Sequence, residues 1–253
     1  MKIKGASALV TGGASGLGEA VARMLASHGA VVHVFDRNRD AAEKVAGDIG
    51  GVAISGDVVS EADASAAVGT AAKAGDGLRI LVNCAGIGTA GRILGREGAL
   101  PLGDFEKVIR VNLIGTFNMM RLAAEAMSKT AETEDKARGV IVNTASVAAF
   151  EGQVGQAAYA ASKGGIVSLA LPAAREFARF GIRVNTVAPG IFLTPLLHGL
   201  PEEVQQSLAS QIPYPSRLGD PAEFADAVRF LIENQYINGE VIRLDGAIRM
   251  QPR

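Results

Sequence analysis

Tryptophan is absent from this chain of 253 residues, and cysteine occurs once, as Cys84. A lone thiol cannot close an intramolecular disulfide, nor can it build a zinc site alone, and only three histidines are available to help it. Cysteine usage therefore fits a reducing compartment. Charge of neither sign is in excess: 25 Lys and Arg stand against 26 Asp and Glu, for a formal net charge of -1. That balance offers no general attraction to nucleic acid or to an acidic membrane surface. Long apolar runs are missing as well. The weakly polar stretch 139–162 is interrupted by Glu151 and carries Asn143, Gln153 and Gln156, so it is not a membrane span. An apolar run begins within a few residues of Met1, which argues against a signal or transit peptide. A cytoplasmic protein without nucleic-acid or membrane partners is expected, with no metal site.

Aromatic residues make up only 5%, yet hydrophobic residues reach 48% and there are 31 glycines and 9 prolines. Such a chain buries a substantial core and makes many tight turns. Short apolar runs at 6–10, 30–35, 52–55, 79–82, 139–144, 183–187 and 240–244 read as strands. Between them, helical patterns fall near 17–27, 40–46, 61–73, 103–128, 159–179 and 221–233, with Gly29 and Gly181 as C-terminal stops. Strict alternation predicts one doubly wound α/β domain over 1–253, a Rossmann fold whose seven-stranded parallel sheet has helices on both faces. Segments 89–102, 128–138 and 190–212 break the rhythm; the last, with Pro195 and Pro201, reads as a substrate-side loop and helix insertion.

Thr11-Gly-Gly-Ala-Ser-Gly-Leu-Gly18 follows the first strand and opens the first helix. In that setting Gly12, Gly16 and Gly18 permit a tight turn that presents N–H groups and a helix N-terminus to a pyrophosphate; the alternative is a plain glycine-rich turn. Asp36 ends the second strand, where a carboxylate can accept hydrogen bonds from an adenosine ribose and repel a 2'-phosphate, which favours NAD over NADP. Arg37, next to it, weakens that preference. Asp57-Val58 after the third strand suits either an adenine edge or a helix cap. Ser146 follows the fifth strand, and Tyr159-Ala-Ala-Ser-Lys163 opens a long helix, with Tyr159 and Lys163 on one face. A Tyr that works as a base near neutral pH needs its pKa lowered by about 3 units from the reference near 10, and a nearby cation can do that. Taken alone, this spacing also arises by chance.

Together with Asn83-Cys-Ala-Gly86, Asn112 and Pro189-Gly190, these motifs resemble the short-chain dehydrogenase/reductase family over nearly the whole chain. Cys84 stands where a second Asn is usual, and Ala247 where Gly often follows Asp-Gly. Stretches 143–159, 215–223 and 238–250 further resemble the branch that acts on 3-hydroxyacyl-CoA thioesters. The resemblance implies NAD-dependent interconversion of (S)-3-hydroxyacyl-CoA and 3-oxoacyl-CoA in a homotetramer. It assigns Tyr159 as general acid/base, Ser146 to the reacting oxygen, Lys163 to the nicotinamide ribose, and Asn112 to a proton-relaying water. Asn112 also suits a purely structural role. Ser15, Leu17, Asp36, Asp57, Val58, Asn83, Cys84, Ala85, Pro189, Gly190, Phe192 and Thr194 are implied at the cofactor, and Gln153 at the substrate. Arg92 and Arg96 could meet CoA phosphates or simply be solvated. Rival expectations are an NADPH-dependent 3-oxoacyl reductase, a steroid or secondary-alcohol dehydrogenase, and a dinucleotide-binding scaffold.

Overall fold

The structure, a computed structural model, describes residues 1–199 and 201–252; positions 200 and 253 of the expected domain lie outside the described residues. In chain order the first half runs β1 (Ser7–Thr11), α1 (Gly16–Ser27), β2 (Val31–Asp36), α2 (Arg39–Ile49), β3 (Val52–Ser55), α3 (Glu61–Ala72) and β4 (Leu78–Asn83). A small antiparallel hairpin follows, β5 (Leu94–Gly95) and β6 (Gly98–Ala99), and then α4 (Leu102–Ile109), a π-turn (Arg110–Ile114) and α5 (Gly115–Ser128). The second half is β7 (Gly139–Thr144), α6 (Ala157–Phe177), β8 (Ile182–Pro189), α7 (Pro195–His198), α8 (Glu202–Ala209), α9 (Pro221–Glu233) and β9 (Val241–Leu244).

Seven strands form one parallel sheet in the order β3-β2-β1-β4-β7-β8-β9. β1, β4 and β7 are buried at every position, which is why their apolar runs are unbroken in the sequence. One face of the sheet packs on α1, α2 and α9 through Val21, Leu25, Val45, Phe224 and Leu231. The other packs on α3, α5 and α6 through Ala67, Met119, Met127 and Ala173. Truncating a core Leu or Met to Ala costs about 2–5 kcal/mol. Gly29 and Gly181 both take positive φ, as expected of helix stops.

The chain runs outward from β1 through β2 to β3, then returns across β1 to β4, β7, β8 and β9. Connections therefore leave β1 and β4 in opposite directions and open a crevice at their carboxyl ends, where ligands bind in sheets of this kind. A polar row crosses that edge in register, Thr11 beside Asn83, Asn83 beside Asn143, and Asn143 beside Thr186. Asn83 Nδ2 donates to Asn143 Oδ1 at 2.9 Å, and Thr11 Oγ1 accepts from the N–H groups of Cys84 and Ala85 at 3.2 Å. These bonds fix the start of the loop after β4 against the glycine turn after β1.

Candidate active site

The crevice is a cavity of about 820 Å³, large enough for a sizeable organic cofactor. At one end lies the glycine turn. Gly12 has φ +62, and a Cβ there would stand 2.7 Å from Ala85 N, while a Cβ on Gly18 would collide with the Gly12 carbonyl. Side chains at either position would break the close approach of the two loops. Ser15 is the N-cap of α1 but is extended, exposed and makes no capping bond, so its hydroxyl and the first N–H groups of the helix are left for an anion.

Asp36 lines the cavity at the end of β2, accepting from Ala14 N at 3.2 Å through Oδ2 and from Asn38 N at 3.0 Å through Oδ1. Arg37 also lines it, with Nε 3.8 Å from Asp57 Oδ2. Buried Val58 is set by its carbonyl, which accepts from Asn118 Nδ2 at 2.9 Å. A cradle that a Cβ would fill, a helix N-terminus and a carboxylate at the cavity wall together fit a nicotinamide dinucleotide.

At the other end, Ser146, Tyr159 and Lys163 face the same cavity. Ser146 ends β7's excursion and caps a single 3-10 turn, its Oγ accepting from Ala148 N at 3.2 Å. Tyr159 and Lys163 stand one turn apart on α6, and Lys163 Nζ lies 5.7 Å from the Tyr159 ring centroid. Burial pushes the Tyr159 phenol above its ordinary pKa, and a hydrogen bond with Ser146 pulls it back. Lys163 is buried and donates to the Thr144 carbonyl at 2.8 Å; burial pushes its ammonium down to about 8. Cys84 is pushed up to about 11 by burial, which keeps it a thiol, with its Sγ accepting from Thr144 Oγ1 at 3.4 Å.

Asn112 sits in the π-turn between α4 and α5. Its Oδ1 accepts from Ile87 N at 2.8 Å, while Nδ2 donates to Ile87 O at 2.9 Å and to Ser162 Oγ at 3.0 Å. Both amide hydrogens are spent on protein. Ser162 Oγ in turn donates to Tyr159 O at 2.7 Å, so Asn112 joins the loop after β4 to the helix that carries Tyr159.

Of the expected site residues, Gly12, Ser15, Gly16, Leu17, Gly18, Asp36, Val58, Cys84, Ala85, Ser146, Tyr159, Lys163, Pro189, Gly190, Phe192 and Thr194 line this cavity. Asp57, Asn83, Asn112 and Gln153 are not among the residues that line it. Gln153 donates to Gln251 O at 2.9 Å and accepts from Gln156 Nε2 at 3.3 Å, and it is Gln156 that reaches the cavity. Arg92 and Arg96 are exposed on and beside the β5–β6 hairpin and do not line it. Lining residues with no motif to mark them include Gln156, Val111, Leu197 and Met250. Among the described residues there is no cluster of three His, Cys, Asp or Glu side chains able to hold a metal, and no helix long and apolar enough to cross a membrane.

The 3-hydroxyacyl-CoA dehydrogenase type-2 of Bos taurus is 54% identical over 254 residues, covering 99% of this chain and 97% of its relative. The protein of that name from Drosophila melanogaster is 50% identical over 254 residues, covering 99% and 100%. A crystal structure of 3-hydroxyacyl-CoA dehydrogenase type-2 from Mycobacterium avium matches with a TM-score of 0.95 at 45% identity, covering 98% of each chain. The family model for short chain dehydrogenases matches residues 6–205. The chain belongs to the short chain dehydrogenase family.

Proposed function

We propose that this protein is an NAD-dependent dehydrogenase that interconverts (S)-3-hydroxyacyl-CoA and 3-oxoacyl-CoA. The observation that carries the reading is that Ser146, Tyr159 and Lys163 share one cavity with the glycine turn and Asp36. Full-length similarity to relatives named for that substrate class supports the thioester. Asp36, whose carboxylate accepts from two neutral main-chain N–H groups and is in no ion pair among the described residues, favours NAD and disfavours the rival NADPH-dependent reductase.

In the oxidative direction Tyr159 takes the proton of the substrate hydroxyl while Ser146 Oγ donates to the same oxygen and steadies it. A nicotinamide held in this cavity would supply the acceptor for the hydride that leaves the carbinol carbon. Lys163 would hold the ribose hydroxyls of the cofactor, and its ammonium, one turn from Tyr159, would favour the tyrosinate by its charge. Because burial raises the Tyr159 phenol, oxidation gains with rising pH, whereas the protonated phenol suits reduction of the ketone near neutrality. Asn112 acts as a positioning residue, holding the Ile87 loop against α6, while its main-chain carbonyl accepts from Thr116 Oγ1 at 2.7 Å.

A homotetramer fits the apolar strip of Leu113, Ile114, Phe117 and Leu169 across the π-turn, α5 and α6, where Ile114 and Phe117 are each nearly half exposed. The lone Cys84 fits the cytoplasm. The reading is tested by initial rates with NAD or NADP and with (S)-3-hydroxybutyryl-CoA, its (R) isomer or a CoA-free secondary alcohol. Turnover of the (S) thioester with NAD at the highest kcat/KM supports it; equal efficiency with the CoA-free alcohol overturns the thioester assignment.

A further inference from the structure

The roles above leave the cavity beyond Ser146 and Tyr159 without an assigned wall. Met250 supplies one, because it lines the same cavity from the C-terminal tail. That tail has no secondary structure of its own past Ile248, yet it is pinned to the loop between Ser146 and Tyr159 at successive residues. Met250 N donates to Glu151 Oε2 at 3.1 Å, Gln153 Nε2 donates to Gln251 O at 2.9 Å, and Val154 N donates to Pro252 O at 3.0 Å. Every one of these partners lies in 151–154, which leads into Gln156 and Tyr159, so Met250 belongs to the substrate end and not to the Asp36 end.

Glu151 is itself held. Arg243, in β9, donates to Glu151 through Nη1 to Oε1 at 2.8 Å and Nη2 to Oε2 at 3.2 Å, and its Nε donates to Asp245 Oδ2 at 2.8 Å. Arg249 closes the group, with Nε 3.4 Å from Glu151 Oε1 and Nη1 3.2 Å from Asp245 Oδ2. A two-pronged guanidinium–carboxylate pair with side chains 23% and 21% exposed is far better placed than an ordinary surface ion pair. The outcome is a methionine whose backbone is fixed while its flexible, apolar thioether faces the cavity. Such a side chain adapts to apolar ligands of varied length.

We infer that Met250 is a specificity-determining residue against which the acyl chain packs, and that Glu151 is the positioning residue that holds it there. The inference rests on the acyl-CoA reading. It is tested by the ratio of kcat/KM for (S)-3-hydroxydecanoyl-CoA to that for (S)-3-hydroxybutyryl-CoA, with NAD binding and thermal unfolding measured to confirm folding. Met250→Ala raises the ratio by about tenfold, the order expected from a few methylenes of pocket, and Met250→Phe lowers it. Glu151→Ala moves the ratio the same way as Met250→Ala, and the double variant adds little to either, because both act on one wall. A merely structural Glu151 would depress both substrates together and leave the ratio alone. Turnover of both thioesters with a ratio within about twofold of the unmutated value in both Met250 variants overturns the inference. Failure of the unmutated protein to oxidise either thioester overturns the function proposed above and this inference with it.

Discussion

Lys163 Nζ donates to the Thr144 carbonyl at 2.8 Å, tying the helix that bears Tyr159 to the end of the central strand β7. The ammonium sits in a place that disfavours its charge: burial lowers it from 10.5 to about 8. Between those two pH values the unfolded chain keeps a proton that the folded chain has lost, so this group makes stability rise with pH across the window. Below about pH 8 its cost is present in full, on the order of 3 kcal/mol. The cofactor-free Lys163→Met variant is therefore expected to be no less stable than the unmutated protein at pH 7, and to lack the lysine's share of the rise toward pH 10. Denaturant unfolding of both proteins at several pH values isolates that share as a difference, since Cys84 and Tyr159 titrate in both. An unchanged difference across the window contradicts the buried-cation account.

Asp36 receives two main-chain N–H bonds and still lines the cavity, so its carboxylate acts on the loop and on the ligand. Asp36→Asn keeps an acceptor for Asn38 or Ala14 while removing the charge. It is expected to narrow the preference for NAD over NADP by about tenfold, because charge-assisted bonds are worth roughly 1.5–3 kcal/mol and the repulsion of a 2'-phosphate is relieved. Dissociation constants for both cofactors with both proteins check this. Equal affinity of the unmutated protein for NAD and NADP would remove Asp36 as the discriminator.

The alternation of strands and helices was legible because buried parallel strands leave unbroken apolar runs such as Ile80 to Val82, and because Gly29 and Gly181 mark where helices must stop. The glycine turn was equally plain, since no other side chain fits at Gly12 or Gly18. Features that depend on a single residue's phase were not. The π-turn at Arg110–Ile114 inserts into a helix whose composition gives no sign of it, yet it is the place where Asn112 faces Ile87 and Ser162. Gln153 and Gln156 are chemically identical and three residues apart, so only the fold decides that Gln156 reaches the cavity. Asn83 ends β4 and turns into the polar row, whereas Cys84 and Ala85 meet the cavity. Met250 lies far from every motif and enters through tertiary contacts alone.

Asn112→Ala would strand the Ile87 N–H and C=O and free Ser162 from one partner. An unsatisfied buried polar group costs about 1–3 kcal/mol, and because Ile87 is only partly buried at the cavity wall, a loss of roughly 1–3 kcal/mol in unfolding free energy is expected. Because the lost clasp joins the loop after β4 to the Tyr159 helix, kcat falls more than the affinity for NAD. Denaturant unfolding, steady-state kinetics and a cofactor titration together check this. A stability change below about 0.5 kcal/mol contradicts the clasp, being the range of ordinary surface substitutions.

In the proposed reaction Tyr159 is the group that exchanges the proton with the substrate oxygen. Tyr159→Phe preserves the ring among its buried neighbours and deletes only the hydroxyl that faces the cavity beside Ser146. The direct measurement is the single-turnover rate of (S)-3-hydroxybutyryl-CoA oxidation against pH for the unmutated and Phe proteins, each saturated with NAD. The account predicts a rate that climbs with pH in the unmutated protein, and a Phe variant that binds NAD as well but turns over at least about a thousandfold more slowly, without that climb. Near-normal turnover in the Phe variant, with the same pH dependence, would contradict it.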